Sequence, residues 1–271
     1  VSRGLGDVYK RQDGCNRHVL IDECRELFGE IYEQIPELPF CNIWTAMQLS
    51  SRLPKGALFH MGVSNTRRCW NMFQLPESVE SACNVGCCGI DGCVSTLVGA
   101  SLVNPDRLCY VVVGDLTFFY DLNSLGNHHI GTNLRVMLVN NGRGTEFRLG
   151  IHHCNVFGDD ADKYMAAAGH FGNKSPLLVK HYAEDLGFHY LSATTKEEFM
   201  TALSNFTNPQ LSDHSMILEV FTDSKDESEA LYLMSHIQSD AKGMVRSKLK
   251  DAVRNVAGEK GINAIKKILK K

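Results

Sequence analysis

Two hard oxygen donors stand at the ends of two apolar runs in this sequence. Leu108 to Val113 reads LCYVVV and is followed by Gly114-Asp115-Leu116, while Leu134 to Val139 reads LRVMLV and is followed by Asn140-Asn141. Both runs are short, rich in β-branched residues and bounded by polar ones, the pattern of strands buried on both faces of a parallel sheet. A carboxylate at one strand's carboxyl end and an amide at its neighbour's place oxygen ligands side by side. Such donors suit Mg²⁺ bound to a diphosphate, and the crevice outside strand ends is where α/β sheets bind ligands. Segment 117–125 reads as helical, so the N–H groups at its start face the same place. Either dipeptide alone is an ordinary turn. Their order, the 26-residue separation of Asp115 and Asn141 and the strand context make the combination specific.

The elements that position these residues follow from the hydrophobic pattern. Val19, Leu20, Cys24, Leu27, Phe28 and Ile31 recur at helical spacing over 17–34, and Pro36 and Pro39 then break the pattern. A second helical stretch covers 43–52. Pro54-Lys55-Gly56 leads into a strand over 57–63 and a helix over 66–73. A short strand over 81–84 precedes the turn 86–92 and a small-residue helix over 93–102. After the two signature strands come a helix over 177–186, a strand over 188–192, a helix over 196–206 and the buried strand SMILEVFT over 215–222. About six strands separated by helices predict an α/β fold, a parallel sheet with helices on both faces. Segment 144–172 is long and irregular, as functional lids often are.

Composition narrows the class. The 271 residues carry a net charge of −3 and 44% hydrophobic residues, an ordinary globular balance. No apolar run approaches a membrane span and no secretory signal is visible. The ten cysteines lack paired C-x-x-C units, and the expected compartment is the cytoplasm. Cys83, Cys87, Cys88 and Cys93 cluster around a glycine-rich turn and read as small, buried, reduced thiols rather than a metal site. Residues 240–271 hold ten Lys/Arg against three acids, a net +7. Their apolar Val245, Leu249, Val253, Val256, Ile262, Ile265 and Ile268 fall on helical stripes. A basic helix packed on its own domain is the expectation, with membrane contact the lesser alternative and no nucleic acid partner.

Three further motifs carry a family resemblance. Gly89-Ile90-Asp91-Gly92 with Ser95-Thr96 is similar to a G-I-D-G-x-x-S-T turn. Gly114-Asp115-Leu116-Thr117 with Tyr120-Asp121-Leu122-Asn123 is similar to a G-D-L-S…D-L-N block, and 62–68, GVSNTRR, to a G-N-S-x-x-x-R strand end. With Asn140-Asn141 closing the pattern, 57–222 resembles the diphosphate-binding domain of thiamin diphosphate (ThDP) enzymes. Leu116 and the D-L-N block favour the carboligase branch of menaquinone biosynthesis.

The resemblance implies roles. Asp115, the Asn141 side chain and the backbone carbonyl of Arg143 ligate Mg²⁺ (or Mn²⁺), while N–H groups around Leu116 and Thr117, beside Gly114, hold the diphosphate. Gly89, Ile90 and Asp91 face the cofactor, Ile90 as the wedge that keeps it bent. Ser64, Arg68 and Phe147 contact substrate, since a guanidinium can bind both oxygens of a carboxylate. On the residues alone, Ile90 reads equally as core, Asp91 as a helix cap and Arg68 as a surface charge beside Arg67. Two departures bear on the substrate: Val85 stands where the family has an arginine, and Glu146 where it has an apolar residue. An acid at 146 repels an anionic acceptor and is a candidate for proton transfer.

The implied function is the diphosphate- and Mg²⁺-binding part of an enzyme that decarboxylates a 2-oxo acid and transfers the carbanion to an acceptor. A non-catalytic subunit of the same fold and a simple 2-oxo acid decarboxylase half are the alternatives. An unrelated dinucleotide-binding protein fits less well, because no G-x-G-x-x-G turn follows a first strand. The implied partner is a pyrimidine-binding domain, in the same longer chain or another subunit, without which little activity is expected, and a homo-oligomer is the expected assembly. The organisation is then a leader, 1–12, that reads as non-native, a helical lead-in, 13–53, the ThDP domain, 54–224, and a helical basic extension, 225–271.

Overall fold

All seven positions of Leu134–Asn140 are buried, as are five of the six in Cys109–Gly114. A computed structural model describes residues 17–86, 88–148, 152–164 and 175–237. These two strands, β4 and β3, form the centre of its sheet. The others are β1 (Leu58–Met61), β2 (Glu80–Cys83), β5 (His189–Ala193) and β6 (Met216–Phe221). The six pair in the order β2-β1-β3-β4-β6-β5, every pair parallel. Parallel strands need crossover connections, and helices supply most of them.

Alternation along the strands builds a core on each face. Tyr110 and Val112, Met137 and Val139, and Met216, Leu218 and Val220 face one side. There they meet helices α2 (Asn42–Leu49), α3 (Asn65–Trp70), α8 (Lys196–Phe206) and α9 (Ser224–Ser235). Cys109, Val111, Val113, Leu134, Val136 and Leu138 face the other side. That face is covered by α4 (Cys93–Val103), α5 (Asp115–Tyr120) and α7 (Leu178–Asp185). Burying each such Val or Leu stabilises the fold by roughly 1.5–3 kcal/mol. The remaining helices are α1 (Arg17–Glu33) and the short α6 (Ala161–Tyr164). The expected parallel α/β sheet with helices on both faces is what the chain forms.

Some expectations are corrected. Segment 117–125 is not one helix: α5 begins earlier, at Asp115, and ends at Tyr120, and a 3₁₀ turn covers Leu122–Gly126. Asp121 breaks the helix because it leaves helical geometry (φ −116°, ψ 12°), and its Oδ2 accepts the Ser95 N–H at 2.7 Å. Segment 144–172 contains 3₁₀ turns over Thr145–Arg148 and His153–Asp160, then α6; its residues 149–151 and 165–172 lie outside the described ones. The leader 1–12, the basic stripes of 240–271 and Cys87 also lie outside them. Of the other clustered thiols Cys93 is buried, Cys83 is half-buried and Cys88 is exposed. Burial pushes the Cys93 and Cys83 thiols up, so they are poor nucleophiles. No helix among the described residues is long and apolar enough to cross a membrane.

Two contacts fix the carboxyl edge of the sheet. Gly62, directly after β1, donates its N–H to the Val112 carbonyl at 2.7 Å; a Cβ there would lie 3.1 Å from that oxygen and 3.3 Å from Val113 Cα. Glu227 of α9 is buried and gathers three elements. Its Oε1 accepts the Asn42 N–H at the start of α2 (2.9 Å) and the Thr222 hydroxyl (2.6 Å). Asn42 Oδ1 in turn accepts the Trp70 indole N–H at 2.9 Å.

Burial above all, with Asp226 and Asp115 nearby, raises the Glu227 carboxyl from 4.5 to about 7. The folded chain keeps a proton there that the unfolded chain has released. Stability therefore falls as pH rises from about 4.5 to 7, by up to about 3 kcal/mol. Glu227→Gln keeps the acceptor oxygen and removes this titration. Denaturant melts should show it close to wild type at pH 5 and more stable at pH 8.

Candidate functional site

A cavity opens where β3 and β4 end. Register places Gly114 opposite Val139, so Asp115 and Asn141 both emerge just beyond the carboxyl edge. Asp115 is 2% exposed, and its Oδ1 accepts the following Leu116 N–H at 2.7 Å. The two asparagines divide their labour. Asn140 belongs to the sheet: its Nδ2 donates to Glu219 Oε1 (2.7 Å), whose Oε2 accepts the Tyr190 hydroxyl (2.7 Å). Burial, which favours the neutral form, raises the Glu219 carboxyl. Asn141 turns into the cavity, where its Oδ1 accepts the Arg143 N–H at 3.3 Å across Gly142. Gly142 sits at φ +79°, a left-handed turn that glycine enters at little cost.

The cavity, about 140 Å³, is lined by Ser64, Ile90, Gly114, Asp115, Leu116, Thr117, Asn141, Arg143, Glu146 and Phe147, all named from the sequence. It is smaller than the roughly 300–1,000 Å³ that encloses a small molecule, with room for only part of one. Gly89 and Asp91 are not among its lining residues. Asp91 is exposed and does not cap α4; the carboxylate that meets the start of that helix is Asp121. The D-L-N block therefore fastens the helix behind Ile90. Asn42, Asn65, Thr66, Thr145 and Glu227 also line the cavity and were not anticipated. A larger groove of about 640 Å³ beneath α1 is walled by Phe28, Ile31, Tyr32, Met47, Met72 and Phe73 and offers little chemistry.

Arg68 reaches the rim rather than the wall. Its Nη1 donates to Asn65 Oδ1 at 3.1 Å and to the carboxylate of Glu146, forming an ion pair with side chains 36% and 19% exposed. Among the described residues no three His, Cys, Asp or Glu side chains cluster to hold a metal. The donors expected from the sequence are the Asp115 carboxylate, the Asn141 amide and the Arg143 main-chain carbonyl, and all three residues line the cavity. That set fits Mg²⁺, which is held by one or two carboxylates together with substrate phosphate and water.

No family model matches the chain. Sequence comparison finds 2-succinyl-5-enolpyruvyl-6-hydroxy-3-cyclohexene-1-carboxylate synthases. That of Bacteroides fragilis is 34% identical over 196 residues, 72% of this chain and 34% of the relative. That of Phocaeicola vulgatus is 34% identical over 200 residues (73% and 34%), and that of Christiangramia forsetii 33% over 199 (73% and 33%). The chain is a relative of these synthases. It spans about a third of their length.

Beside the synthases, the two departures read from the sequence take on positions. Val85 is 42% exposed, and Glu146 lines the cavity and pairs with Arg68. Ser64, at the start of α3, is also unusual: it holds φ +60° and ψ −125°, a conformation disfavoured for any residue with a Cβ. Such strain costs on the order of 1–3 kcal/mol and gathers at functional sites. Ser64→Gly should relieve it. The expected result is a rise in unfolding free energy of about 1 kcal/mol in urea melts, with loss of the hydroxyl from the cavity wall.

Proposed function

We propose that this chain is the diphosphate- and Mg²⁺-holding part of a ThDP-dependent synthase. The observation that carries the reading is the convergence of Asp115 and Asn141 in one cavity, at the ends of adjacent parallel strands, in a relative of the synthases. Bound ThDP supplies the chemistry of 2-oxo acid decarboxylation and of carbon–carbon bond formation with an acceptor.

The chain's own residues hold and orient. Asp115, Asn141 Oδ1 and the Arg143 carbonyl ligate Mg²⁺, and Leu116 and Thr117 offer N–H groups beside Gly114 for the diphosphate. Asn140, locked to Glu219, keeps the Asn141 backbone in place. Ile90 gives the cavity an apolar wall against which the cofactor packs, on a turn secured by Asp121. Ser64, Arg68 and Phe147 lie on the substrate side. Glu146 brings a carboxylate to the same wall, able to take or return a proton at the reacting group. A pyrimidine-binding domain, in the same longer chain or another subunit, completes the site. This accords with a cavity too small to enclose a whole cofactor.

Calorimetric titration of ThDP with and without Mg²⁺ tests this. Weak, Mg²⁺-dependent binding is expected, reduced roughly a hundredfold, about 3 kcal/mol, in Asp115→Ala. Binding indifferent to both Mg²⁺ and Asp115 would overturn the reading. So would a complete absence of binding once a pyrimidine-binding domain is supplied.

A further inference from the structure

The pairing of Arg68 with Glu146 bears on which substrate group this rim accepts, and the argument rests on the functional reading above. A guanidinium at the mouth of a cavity is an obvious seat for a carboxylate. Here that seat is taken. Arg68 Nη1 is already shared between Asn65 Oδ1 and the Glu146 carboxylate. Glu146 arrives from the turn Thr145–Arg148, 78 residues away, across the cavity mouth from α3. It is the more buried partner, 19% exposed against 36% for Arg68, and its own residue lines the cavity. Asp115 and Glu227 add two further acids to the wall, against Arg143.

We propose that Glu146 acts as an internal carboxylate ligand of Arg68, so that this subsite selects an uncharged substrate group, a hydroxyl or carboxamide, over a carboxylate. An incoming carboxylate must displace Glu146 and then lie beside it, two like charges in a partly desolvated place. A hydroxyl or amide uses the remaining guanidinium N–H groups and leaves the pair intact, because Arg carries five donors in a fixed fork. Glu146 is thereby a specificity-determining residue.

The test needs neither cofactor nor metal. The full chain is titrated with glutarate and with its neutral isostere glutaramide, followed by amide chemical shifts around 64–68 and 144–147. Wild type should bind glutaramide about fivefold more tightly than glutarate, and Glu146→Gln should reverse the order by a similar factor. Adding Arg68→Met to Glu146→Gln should abolish the gain for glutarate. Equal affinities in wild type, or no gain for glutarate in a folded Glu146→Gln, overturns the proposal. Should Glu146→Gln fail to fold, Arg68→Met alone decides. It must weaken glutaramide and bring no gain for glutarate, and unchanged glutaramide or tighter glutarate counts against the proposal. Mg²⁺-dependent ThDP binding with no switch here would sink only this inference. A switch in a chain that fails the Asp115 titration would sink only the functional reading.

Discussion

Because β3 and β4 run parallel with Gly114 opposite Val139, the first residue past each strand emerges on the same edge of the sheet. The placing of Asp115 against Asn141 depends on that alignment. Both strands are buried on both faces, so their register is fixed twice, by Tyr110 and Val112 on one side and by Val111 and Val113 on the other. A slip of one residue would exchange the two sets and carry Asp115 away from Asn141. The hydrophobic core is thus what brings the two oxygen donors to the same edge of the sheet.

Burying polar groups at this edge has a cost, which the fold offsets with buried carboxylates. Glu219 holds Asn140, and Glu227 holds the first N–H of α2 and the Thr222 hydroxyl. In each case an acid satisfies a donor that would otherwise be stranded, and in each case burial favours the protonated form. Of the two, Glu227 itself lines the cavity. A divalent cation beside Asp115 would favour the ionised form of the nearby carboxyls.

Much of this was legible in the residues. Strands such as LCYVVV and LRVMLV announce themselves because both faces are buried and Arg135 is the one charged residue in either run, and the helices follow from spacing and from proline and glycine punctuation. Asp115 and Asn141 could be placed because they follow those strands directly. What escaped was long-range. Glu227 meets Asn42 across 185 residues and Arg68 meets Glu146 across 78, and neither glutamate differs locally from a solvated one. The D-L-N block was recognised as a pattern, yet the work of its aspartate, gripping the Ser95 N–H of a helix from elsewhere in the chain, is visible only in three dimensions. Likewise nothing local distinguishes Asn140, which faces the sheet, from Asn141, which faces the cavity.

Gly62 carries a consequence of another kind. It lies between the strand that leads to Ser64 and the strand that leads to Asp115, with a carbonyl oxygen 3.1 Å from where its side chain would begin. Its role is that of a spacer whose useful dimension is zero. The cavity's two walls stand at a separation set by main chain against main chain, which no rotamer can adjust. Any atom added at 62 would press on the Val112 carbonyl and the Val113 main chain, so the spacing of the strands that lead to Ser64 and to Asp115 rests on the absence of a side chain.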